Sequence, residues 1–304
     1  MAEHIAVLVN PTAGRGRGAA AADAALGRLR ELGADVLTFA GASVDDTRRL
    51  AAEAVAGRPR ALVVVGGDGT LSSVLDIVVD AGIAIALVPA GTGNDLARAL
   101  GLPHETSDAA DAAELAVRGR ARRIDVGVVE SNGPARHFLT VAALGFDARV
   151  SERTNTLRWP RGRARYYLAL LVELARLRAA PFVIGVDGDA PKHMPGTLVA
   201  VGVTASYGGG MRMCPAADPS DGRLDMTHIG PLGRIKLIRL FPMLLAGRHV
   251  ERAEVTTRRA TVVRVDAPDL IVYGDGERLG HGPTTISVRP SALTVLVPHS
   301  AVPE

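Results

Sequence analysis

The fold of the first part of this chain is decided by one stretch, Ala61-Leu-Val-Val-Val-Gly66-Gly67-Asp68-Gly69-Thr70-Leu71. Its apolar run predicts a strand buried on both faces, as in a parallel sheet. The glycines that follow allow a sharp turn and let backbone N–H groups approach a ligand closely. Residues 71–81 are helix-like, so the loop lies at a helix N-terminus, where phosphate binds favourably. A carboxylate here repels phosphate unless a cation such as Mg²⁺ lies between them, so Asp68 favours a metal–nucleotide site over a plain glycine turn.

The composition allows a large core and argues against several classes of protein. A chain of 304 residues is long enough for two domains or one large one, and with 47% hydrophobic and 3% aromatic residues its core must be filled by Ala, Val and Leu. The formal net charge of +3 is too small to indicate a nucleic-acid partner. The pI of about 9.4 nevertheless permits contact with an anionic membrane surface. The single cysteine, Cys214, excludes an internal disulfide and a cysteine-based zinc site, and we expect a buried thiol.

Nothing in the sequence indicates export or a membrane span. The start, Met1-Ala-Glu-His-Ile5, leads almost directly into a predicted strand and lacks the regions of a signal peptide. No apolar run reaches the ~18–20 residues that a membrane span requires. We therefore expect a cytoplasmic protein whose membrane contact is peripheral. The histidines show no metal-ligand spacing, so we expect no metal role for them.

The first 125 residues alternate between strands and helices, which predicts a doubly wound α/β domain with a mostly parallel sheet. The predicted strands are Ile5–Val9, 35–39, 61–65 and 83–89, and the predicted helices are 19–32, 45–56, 71–81 and one from Leu96. Asp45 or Asp46 is expected near the cap of the second helix. Residues 1–125 are therefore interpreted as a nucleotide-binding domain.

Short strand-like runs dominate the rest of the chain and predict an all-β sandwich for residues 126–304. The runs are 124–129, 138–142, 182–186, 198–204, 224–229, 261–265, 270–273, 285–288 and 293–297. Two helical inserts are expected near 165–178 and 233–245. The last strand is left open to return to the first domain. A cleft between the domains is the natural place for a ligand, and we expect the active site there.

Three loops of the first domain follow predicted strands and combine glycine with small polar residues. They span 10–18, 66–70 and 91–95, and the carboxyl ends of neighbouring strands share one crevice in an open α/β sheet. The side chains expected to converge there are Asn10, Thr12, Asp68, Thr70, Thr92, Asn94 and Asp95. The alternative for Thr92 and Asn94 is that they shape a turn and cap a helix.

These loops resemble the catalytic domain of the diacylglycerol/sphingosine lipid kinases, and the bacterial soluble diacylglycerol kinases most of all. The matching pieces are Asn10-Pro-Thr-Ala-Gly14, Gly66-Gly-Asp-Gly-Thr70, Pro89-Ala-Gly-Thr-Gly-Asn-Asp-Leu-Ala-Arg98, Arg123-Ile-Asp125, Tyr207-Gly-Gly-Gly-Met211, Pro215-Ala216, Asp221-Gly222 and Asp275-Gly-Glu277. Gly-Gly-Asp-Gly-Thr alone is shared with NAD kinases and phosphofructokinases. The collinear set over residues 5–297 is much more specific.

The resemblance implies roles for particular residues. Its ATP-binding positions match Asn10, Pro11, Thr12, Ala13, Gly14, Gly66, Gly67, Asp68, Gly69, Thr70 and Thr92, with Thr38 a looser match. Asp68, Asp95 and Asp125 resemble an acidic network that organises Mg²⁺ around the phosphates. Glu277 resembles the general base, whereas its alternative is a surface turn carboxylate. The turn from Asp218 to Arg223 resembles a structural Mg²⁺ site formed by the Asp221 carboxylate and the carbonyls of Asp218 and Arg223, whereas its alternative is a plain Asp-Gly turn.

The chain departs from the family pattern at two places. Ser72 and Ser73 stand where the family usually has Asn-Glu, which removes a carboxylate near the catalytic loop. Val203 stands where the family often has Asn. Neither change affects the aspartates or Glu277, so the prediction of catalysis is retained.

Two segments combine basic and apolar residues in a way that suits a lipid surface. Residues 158–167 are basic and aromatic, and their alternative is the solvated start of a helix. Residues 233–247 set Arg234, Lys236 and Arg239 among Ile, Leu and Phe, and their alternative is a packing helix.

The expected activity is that of a lipid kinase. We expect it to transfer the γ-phosphoryl group of ATP, bound with Mg²⁺, to a membrane lipid hydroxyl, most readily that of diacylglycerol, giving phosphatidic acid. The alternatives are another acceptor lipid such as phosphatidylglycerol or a sphingoid base, an NAD-kinase-like enzyme, and a non-catalytic nucleotide-binding regulator. The acyl pocket is built from scattered Ala, Val and Leu, so the sequence does not identify the lipid. A homodimer is left open.

Overall fold

A computed structural model describes residues 4–160 and 163–299, except for the side chains of Arg15 and Arg163. The chain divides into two compact units, Met1–Asp125 with Pro290–Glu304, and Val126–Arg289. Met1 to Glu3 of the predicted N-terminal segment lie outside the described residues, as do Arg161 and Gly162 of the predicted membrane segment. No described helix is long and apolar enough to cross a bilayer.

The first unit is built on a parallel sheet. Its strands are β1 (Ile5–Val9), β2 (Val36–Ala40), β3 (Ala61–Gly66) and β4 (Ile85–Pro89), in the spatial order β2-β1-β3-β4. The end of β16 (Thr284–Val297) runs parallel to β4, with Val295 opposite Ile85. Strands β1, β3 and β4 are buried along their whole length, as continuous apolar runs predict, whereas the edge strand β2 is partly exposed.

Five α-helices accompany these strands. They are α1 (Ala13–Glu31), α2 (Val44–Ala56), α3 (Asp68–Ala81), α4 (Asp95–Ala99) and α5 (Ala109–Arg118). Helix α1 packs against α5, and α2 packs against α3. The buried side of α3 includes Leu71, Val74, Leu75 and Val78, a helical spacing that fixes which face meets the sheet. The doubly wound α/β prediction for this unit is confirmed.

Several predicted boundaries in the first unit are wrong by a few residues. The loop predicted over 10–18 ends early, because α1 already begins at Ala13. Gly18 serves close packing, because a Cβ there would overlap the carbonyl oxygen of Asn10. Helix α2 begins at Val44 and is capped by Ser43, whose hydroxyl accepts the N–H of Asp46 at 3.2 Å, while Asp45 and Asp46 lie in the first turn, near the cap as predicted. Helix α3 begins at Asp68, so the glycine loop itself forms its first turn.

The second unit is an antiparallel sandwich of two sheets, as predicted. Strand β5 (Arg120–Glu130) begins in the first unit and ends in the second. The other strands of the second unit are β6 (Arg136–Phe138), β7 (Val141–Gly145), β8 (Ala180–Val186), β9 (Lys192–Gly196), β10 (Leu198–Gly202), β11 (Leu224–Ile229), β12 (Val255–Ala260), β13 (Val262–Asp266), β14 (Ile271–Gly274) and β15 (Glu277–His281). One sheet has the order β12-β11-β10-β7-β14-β15, and in the other β16 is followed by β13, β8 and β9. Buried side chains such as Phe138, Phe182 and Val201 form the sandwich core.

Three helices of the second unit pack on a separate apolar cluster. They are α6 (Phe146–Thr156), α7 (Arg163–Ala175) and α8 (Arg234–Ala246). The cluster includes Val141 of β7 and Leu198 and Ala200 of β10. These residues alternate along their strands with residues of the sandwich core. The helices therefore cover the outer face of the six-stranded sheet.

Several features of this unit differ from the prediction. Strands β9, β12 and β15 have no counterpart among the predicted runs. Helix α6 was missed, because its sequence is mostly polar and buries only Phe146, Ala148 and Val150. The run 138–142 is split between β6 and β7. The runs 285–288 and 293–297 form a single strand, β16, which continues through Ser291 at φ 51°.

The hairpin between β14 and β15 carries the predicted base. Asp275 and Gly276 have φ values of 51° and 81°, the positive values of a type I′ turn. The Asp275 carboxylate accepts the N–H groups of Leu139 at 2.7 Å and Thr140 at 3.0 Å, and also the Thr140 hydroxyl. Asp275 therefore fastens the hairpin to the connection between β6 and β7. Glu277 is the first residue of β15.

Replacing Asp275 by Ala is expected to destabilise the protein by about 2–4 kcal/mol, because buried N–H groups lose their acceptor. The measurement is chemical denaturation of wild type and variant. Asp189→Ala is the matched control, since this exposed carboxylate contacts Arg258 only at 3.5 Å and such pairs contribute at most about 1 kcal/mol. An equal loss of unfolding free energy in both variants would contradict the role of Asp275 in fastening the hairpin.

Candidate active site

Strand order places the candidate site at the carboxyl ends of the parallel strands of the first unit. The chain moves outward from β1 to β2 and then returns past β1 to β3. At such a switch point, the loops after β1 and β3 leave the sheet on either side of a crevice. The loop after β4 opens at the same edge, because β3 and β4 are parallel neighbours.

Asn10 joins the first two loops. Its Nδ2 donates to the Thr70 hydroxyl at 3.0 Å, which reaches from the end of β1 to the first turn of α3. Its Oδ1 accepts the N–H and the hydroxyl of Thr12 at 3.1 and 2.8 Å. Its own N–H donates to the carbonyl of Val65 at 3.0 Å. Both the amide nitrogen and the amide oxygen of Asn10 therefore help to set the loop geometry.

Glycine contacts join the second and third loops. A Cβ built on Gly67 would lie 2.7 Å from the Cα of Gly91, so neither position has room for a side chain. The N–H of Ala90 donates to the carbonyl of Gly66 at 2.9 Å. A Cβ at Gly14 would overlap the Ala90 carbonyl, which brings the start of α1 against the third loop. The three loops therefore form one continuous backbone surface.

Two carboxylates converge on this surface. Asp68 and Asp95 are the first residues of α3 and α4, and the N–H of Asp95 donates to Oδ1 of Asp68 at 2.7 Å. A Cβ on Gly93 would lie 2.6 Å from Oδ2 of Asp68 and 3.5 Å from Oδ2 of Asp95. Both carboxylates thus face the space that the missing side chain of Gly93 leaves.

This arrangement fits Mg²⁺ bound together with a phosphate group. Mg²⁺ prefers oxygen ligands and is usually held by one or two carboxylates, with phosphates and water completing its octahedron. Asp68 and Asp95 supply such a pair. Within residues 4–160 and 163–299, no group of three or more His, Cys, Asp or Glu is placed to hold a metal on its own. The first turn of α3, with Gly69 exposed, suits the phosphate.

Two arginines beside the third loop were given no role from the sequence. Arg17 donates from Nε to the carbonyl of Gly14 and from Nη2 to that of Gly91, both at 3.0 Å. Arg98 donates from Nη2 to the carbonyl of Gly93 at 3.0 Å. Both guanidinium groups are exposed and place positive charge beside the loop. Arg98 is the last residue of a motif that matches the family. The contact between Arg17 and Gly91 joins residues 74 positions apart, so nothing in the local sequence predicts it.

The remaining predicted residues of this unit have different surroundings. Thr92 is exposed in the third loop, and Thr38 is exposed within the edge strand β2 opposite Val7. Asn94 adopts φ 52°, and its Oδ1 accepts the N–H of Gly91 at 3.1 Å. Its Nδ2 donates to the carbonyl of His104 at 2.8 Å. Asn94 therefore shapes the turn, as its alternative interpretation proposed.

Asp125 is buried and takes part in the bend of β16. Its Oδ1 accepts the N–H of Ser291 at 2.7 Å, while Arg123 donates from Nε to the Ser291 carbonyl at 3.0 Å. Ser291 has φ 51°, so both contacts hold a strained backbone position. Asp125 thus has a structural contact in addition to the metal role that the resemblance implies.

Glu277 is exposed at the start of β15, on a hairpin that α6 supports. Asn155 donates from Nδ2 to the carbonyl of Gly276 at 3.3 Å. The Tyr273 hydroxyl donates to Glu152 at 2.5 Å, and burial together with this carboxylate raises the pKa of Tyr273 to about 12. Glu152 and Asn155 were missed from the sequence because α6 was missed.

The turn from Asp218 to Arg223 is exposed and internally hydrogen-bonded. Oδ1 of Asp218 accepts the N–H of Ser220, and Oδ1 of Asp221 accepts the N–H of Arg223, each at 2.9 Å. Asp221 also pairs with Arg259 through its other oxygen. Nearby Asp225 lies 3.7 Å from Nε of Arg259, and burial raises its pKa to about 6. The turn offers hard oxygen ligands, but a guanidinium already neutralises part of their charge.

Comparison with known proteins identifies both units. Residues 4–129 match the diacylglycerol kinase catalytic domain, and residues 140–297 match the YegS C-terminal NAD kinase beta sandwich-like domain. A diacylglycerol kinase of Mycobacterium tuberculosis is 45% identical over 295 residues, which cover 97% of this chain and 95% of the relative. A diacylglycerol kinase of Bacillus subtilis is 30% identical, with 89% of this chain and 88% of the relative covered.

Further matches agree with these. A probable YegS-like lipid kinase of Pseudomonas aeruginosa is 34% identical over 90% of this chain and 89% of its own length. The crystal structure of a putative diacylglycerol kinase from Bacillus anthracis has the same fold, with a TM-score of 0.81 at 24% identity over 99% of this chain and 97% of the other. Since the matches extend over both units and nearly the whole length, the chain belongs to the diacylglycerol kinase family and is a lipid kinase.

Proposed function

We propose that this kinase transfers the γ-phosphoryl group of Mg-ATP to the hydroxyl group of diacylglycerol and so forms phosphatidic acid. The observation that carries the proposal is the pair of carboxylates, Asp68 and Asp95, facing Gly93 at the edge where three loops join. The names of the relatives from Mycobacterium tuberculosis and Bacillus subtilis support diacylglycerol as the acceptor.

Phosphoryl transfer depends mainly on positioning and on neutralising negative charge. Asp68 and Asp95 would hold Mg²⁺, which supplies the positive charge that offsets the phosphate oxygens. Asn10 and Thr70 fix the loop backbone on the nucleotide side, at a separation of 3.0 Å. The closely packed glycines let that backbone approach the phosphates.

The acceptor hydroxyl needs a group that takes its proton. We assign this role to Glu277, which stands exposed after a turn that Asp275 and Asn155 hold in place. A carboxylate on a fixed turn can be aimed at a hydroxyl without reorganisation. The aliphatic acceptor alcohol is a poor nucleophile at neutral pH, so this proton transfer assists the attack on the γ-phosphorus.

The proposal places the reaction at the inner face of the membrane, because ATP is a cytoplasmic substrate and the acceptor is a membrane lipid. Phosphatidic acid is a phospholipid precursor, so the reaction belongs to lipid metabolism. Peripheral contact through residues 158–167 is part of the proposal. Trp159 is 77% exposed, and Arg165 donates from Nε to the carbonyl of Pro160 at 3.2 Å.

A phosphate-transfer screen tests the proposed function. Radiolabelled ATP with Mg²⁺ is offered with diacylglycerol, phosphatidylglycerol, sphingosine or ceramide in mixed micelles, and with NAD as a soluble acceptor. We expect label in phosphatidic acid, and Asp68→Ala is expected to lower it at least about a hundredfold through lost metal binding. Asp111→Ala, an exposed carboxylate on α5, is the matched control and should retain activity. Preferred labelling of another lipid would overturn diacylglycerol as the acceptor, and labelling of NAD alone would contradict the proposal altogether.

Glu277→Gln keeps the size of the side chain and removes the base. We expect kcat to fall by about 10² to 10⁴, the usual contribution of a positioned acid or base. ATP affinity should change little, which equilibrium binding of a fluorescent ATP analogue measures. Glu130→Gln changes another exposed carboxylate of the same unit and serves as the control. Weakened ATP binding with an unchanged kcat would make Glu277 a nucleotide-site residue.

A structural Mg²⁺ at the turn from Asp218 to Arg223 remains part of the proposal, with the carboxylate of Asp221 and the carbonyls of Asp218 and Arg223 as ligands. Asp221→Ala should abolish any rise in Tm that Mg²⁺ produces in the absence of nucleotide. Asp218→Ala is the matched control, since only its backbone carbonyl is a proposed ligand. If Mg²⁺ shifts the Tm of all three proteins equally, the ion binds elsewhere.

A further inference from the structure

Helix α8 is apolar on both of its long sides. Leu237, Leu240 and Leu244 are buried in the outer cluster of the second unit. On the opposite side, Ile235, Ile238, Phe241 and Leu245 are 67%, 56%, 41% and 50% exposed. These positions recur every three or four residues and therefore share one helix face. A surface helix ordinarily turns charged and polar side chains outward, so packing within this unit does not account for the outer face.

Helix α7, which packs on the same cluster, also exposes apolar side chains. Tyr167 and Leu171 lie one helical turn apart and are 60% and 63% exposed. Leu170 and Leu174 pack on the same cluster as the buried face of α8. Arg234 joins the two helices by donating from Nε and Nη2 to the carbonyls of Leu174 and Ala175 at 3.1 and 2.6 Å. We call the exposed set the outer apolar face; it consists of Tyr167, Leu171, Ile235, Ile238, Phe241 and Leu245.

The charges on these helices have one sign at the surface. Helix α8 contains Arg234, Lys236 and Arg239 and no acidic residue. The acidic residue of α7, Glu173, is buried and pairs with Arg153. Lys236 contacts Glu254 at 3.4 Å, beyond the helix. Basic side chains beside exposed Ile, Leu, Phe and Tyr form the combination that binds anionic lipid interfaces.

We propose that the outer apolar face is the membrane-docking surface of this kinase, with α8 lying in the headgroup region of an anionic bilayer. The inference rests on the proposed function and deepens it, because it names the surface through which the enzyme meets the membrane that holds its acceptor. A second copy of the chain would also cover the face. A two-fold interface, however, would bring the basic residues of α8 towards those of the other copy, whereas anionic headgroups neutralise them.

Vesicle binding of a serine variant tests this surface directly. Ile235→Ser combined with Ile238→Ser and Leu245→Ser removes apolar area from exposed positions, and an unchanged Tm verifies folding. We expect its partition onto phosphatidylcholine–phosphatidylglycerol vesicles, measured by flotation without ATP, to fall at least about tenfold. Leu37→Ser combined with Val44→Ser is the matched control, because both residues are exposed on the first unit. This control should bind like wild type.

The Arg239→Glu variant tests whether basic charge on α8 contributes to vesicle binding. Binding should weaken several-fold on vesicles that contain phosphatidylglycerol and hardly at all on pure phosphatidylcholine, and added salt should reduce the difference. Equal vesicle binding by wild type and the serine variant would overturn the proposal. Loss of self-association in sedimentation, with vesicle binding retained, would assign the face to a second copy. Because binding is measured without turnover, a wrong acceptor in the phosphate-transfer screen leaves this result unaffected.

Discussion

The contact between Gly67 and Gly91 is the constraint on which the rest of the candidate active site depends. Their backbones approach so closely that a Cβ on either would lie within 2.7 Å of the other residue's Cα. This approach brings the loop after β3 against the loop after β4 and lets the N–H of Asp95 reach Asp68. A side chain at either glycine would separate the loops and the two carboxylates with them. Glycine is required here for space, since neither residue has a positive φ.

The closeness of Asp68 and Asp95 is unfavourable without a cation, because like charges repel and phosphate adds more negative charge. The hydrogen bond from the N–H of Asp95 offsets part of the repulsion at Asp68. The dipoles of the first turns of α3 and α4 also favour negative charge at these two positions. A divalent cation would relieve the remainder. The pair is therefore better explained by the proposed metal–nucleotide complex than by its effect on stability. Arg17 and Arg98, which lie beside the third loop, place positive charge near the two carboxylates.

Local pattern was enough to predict most of the fold, and the exceptions have physical causes. Strands β1, β3 and β4 are continuous apolar runs, so both their existence and their burial could be predicted. Helix α6 could not, because a polar helix that buries three side chains has no clear periodic signal. The start of α1 was misplaced because glycine, usually a loop residue, was used there for close packing against Asn10.

The candidate site likewise has a part that the sequence predicts and a part that only the folded structure shows. Glycine loops after buried strands predict that Asn10, Asp68 and Asp95 come together, because the topology of a parallel sheet forces it. Contacts between distant positions, such as Arg17 with Gly91 or Asp275 with Thr140, depend on the folded geometry and have no local signature. Asp275 shows the difference well. Its motif marked the turn that carries Glu277, but only the structure reveals that its carboxylate fastens that turn to the sandwich.

Helix α8 shows why an amphipathic pattern alone could not decide between packing and membrane contact. Its sequence is apolar on nearly every side, so each interpretation had residues in its favour. The structure assigns Leu237, Leu240 and Leu244 to packing and leaves Ile235, Ile238 and Leu245 outside. Exposed apolar area of this kind promotes aggregation and is retained where it binds something. Under the proposed function, in which the acceptor lies in a bilayer, the same area and its basic flank would lower the free energy of the encounter with the lipid.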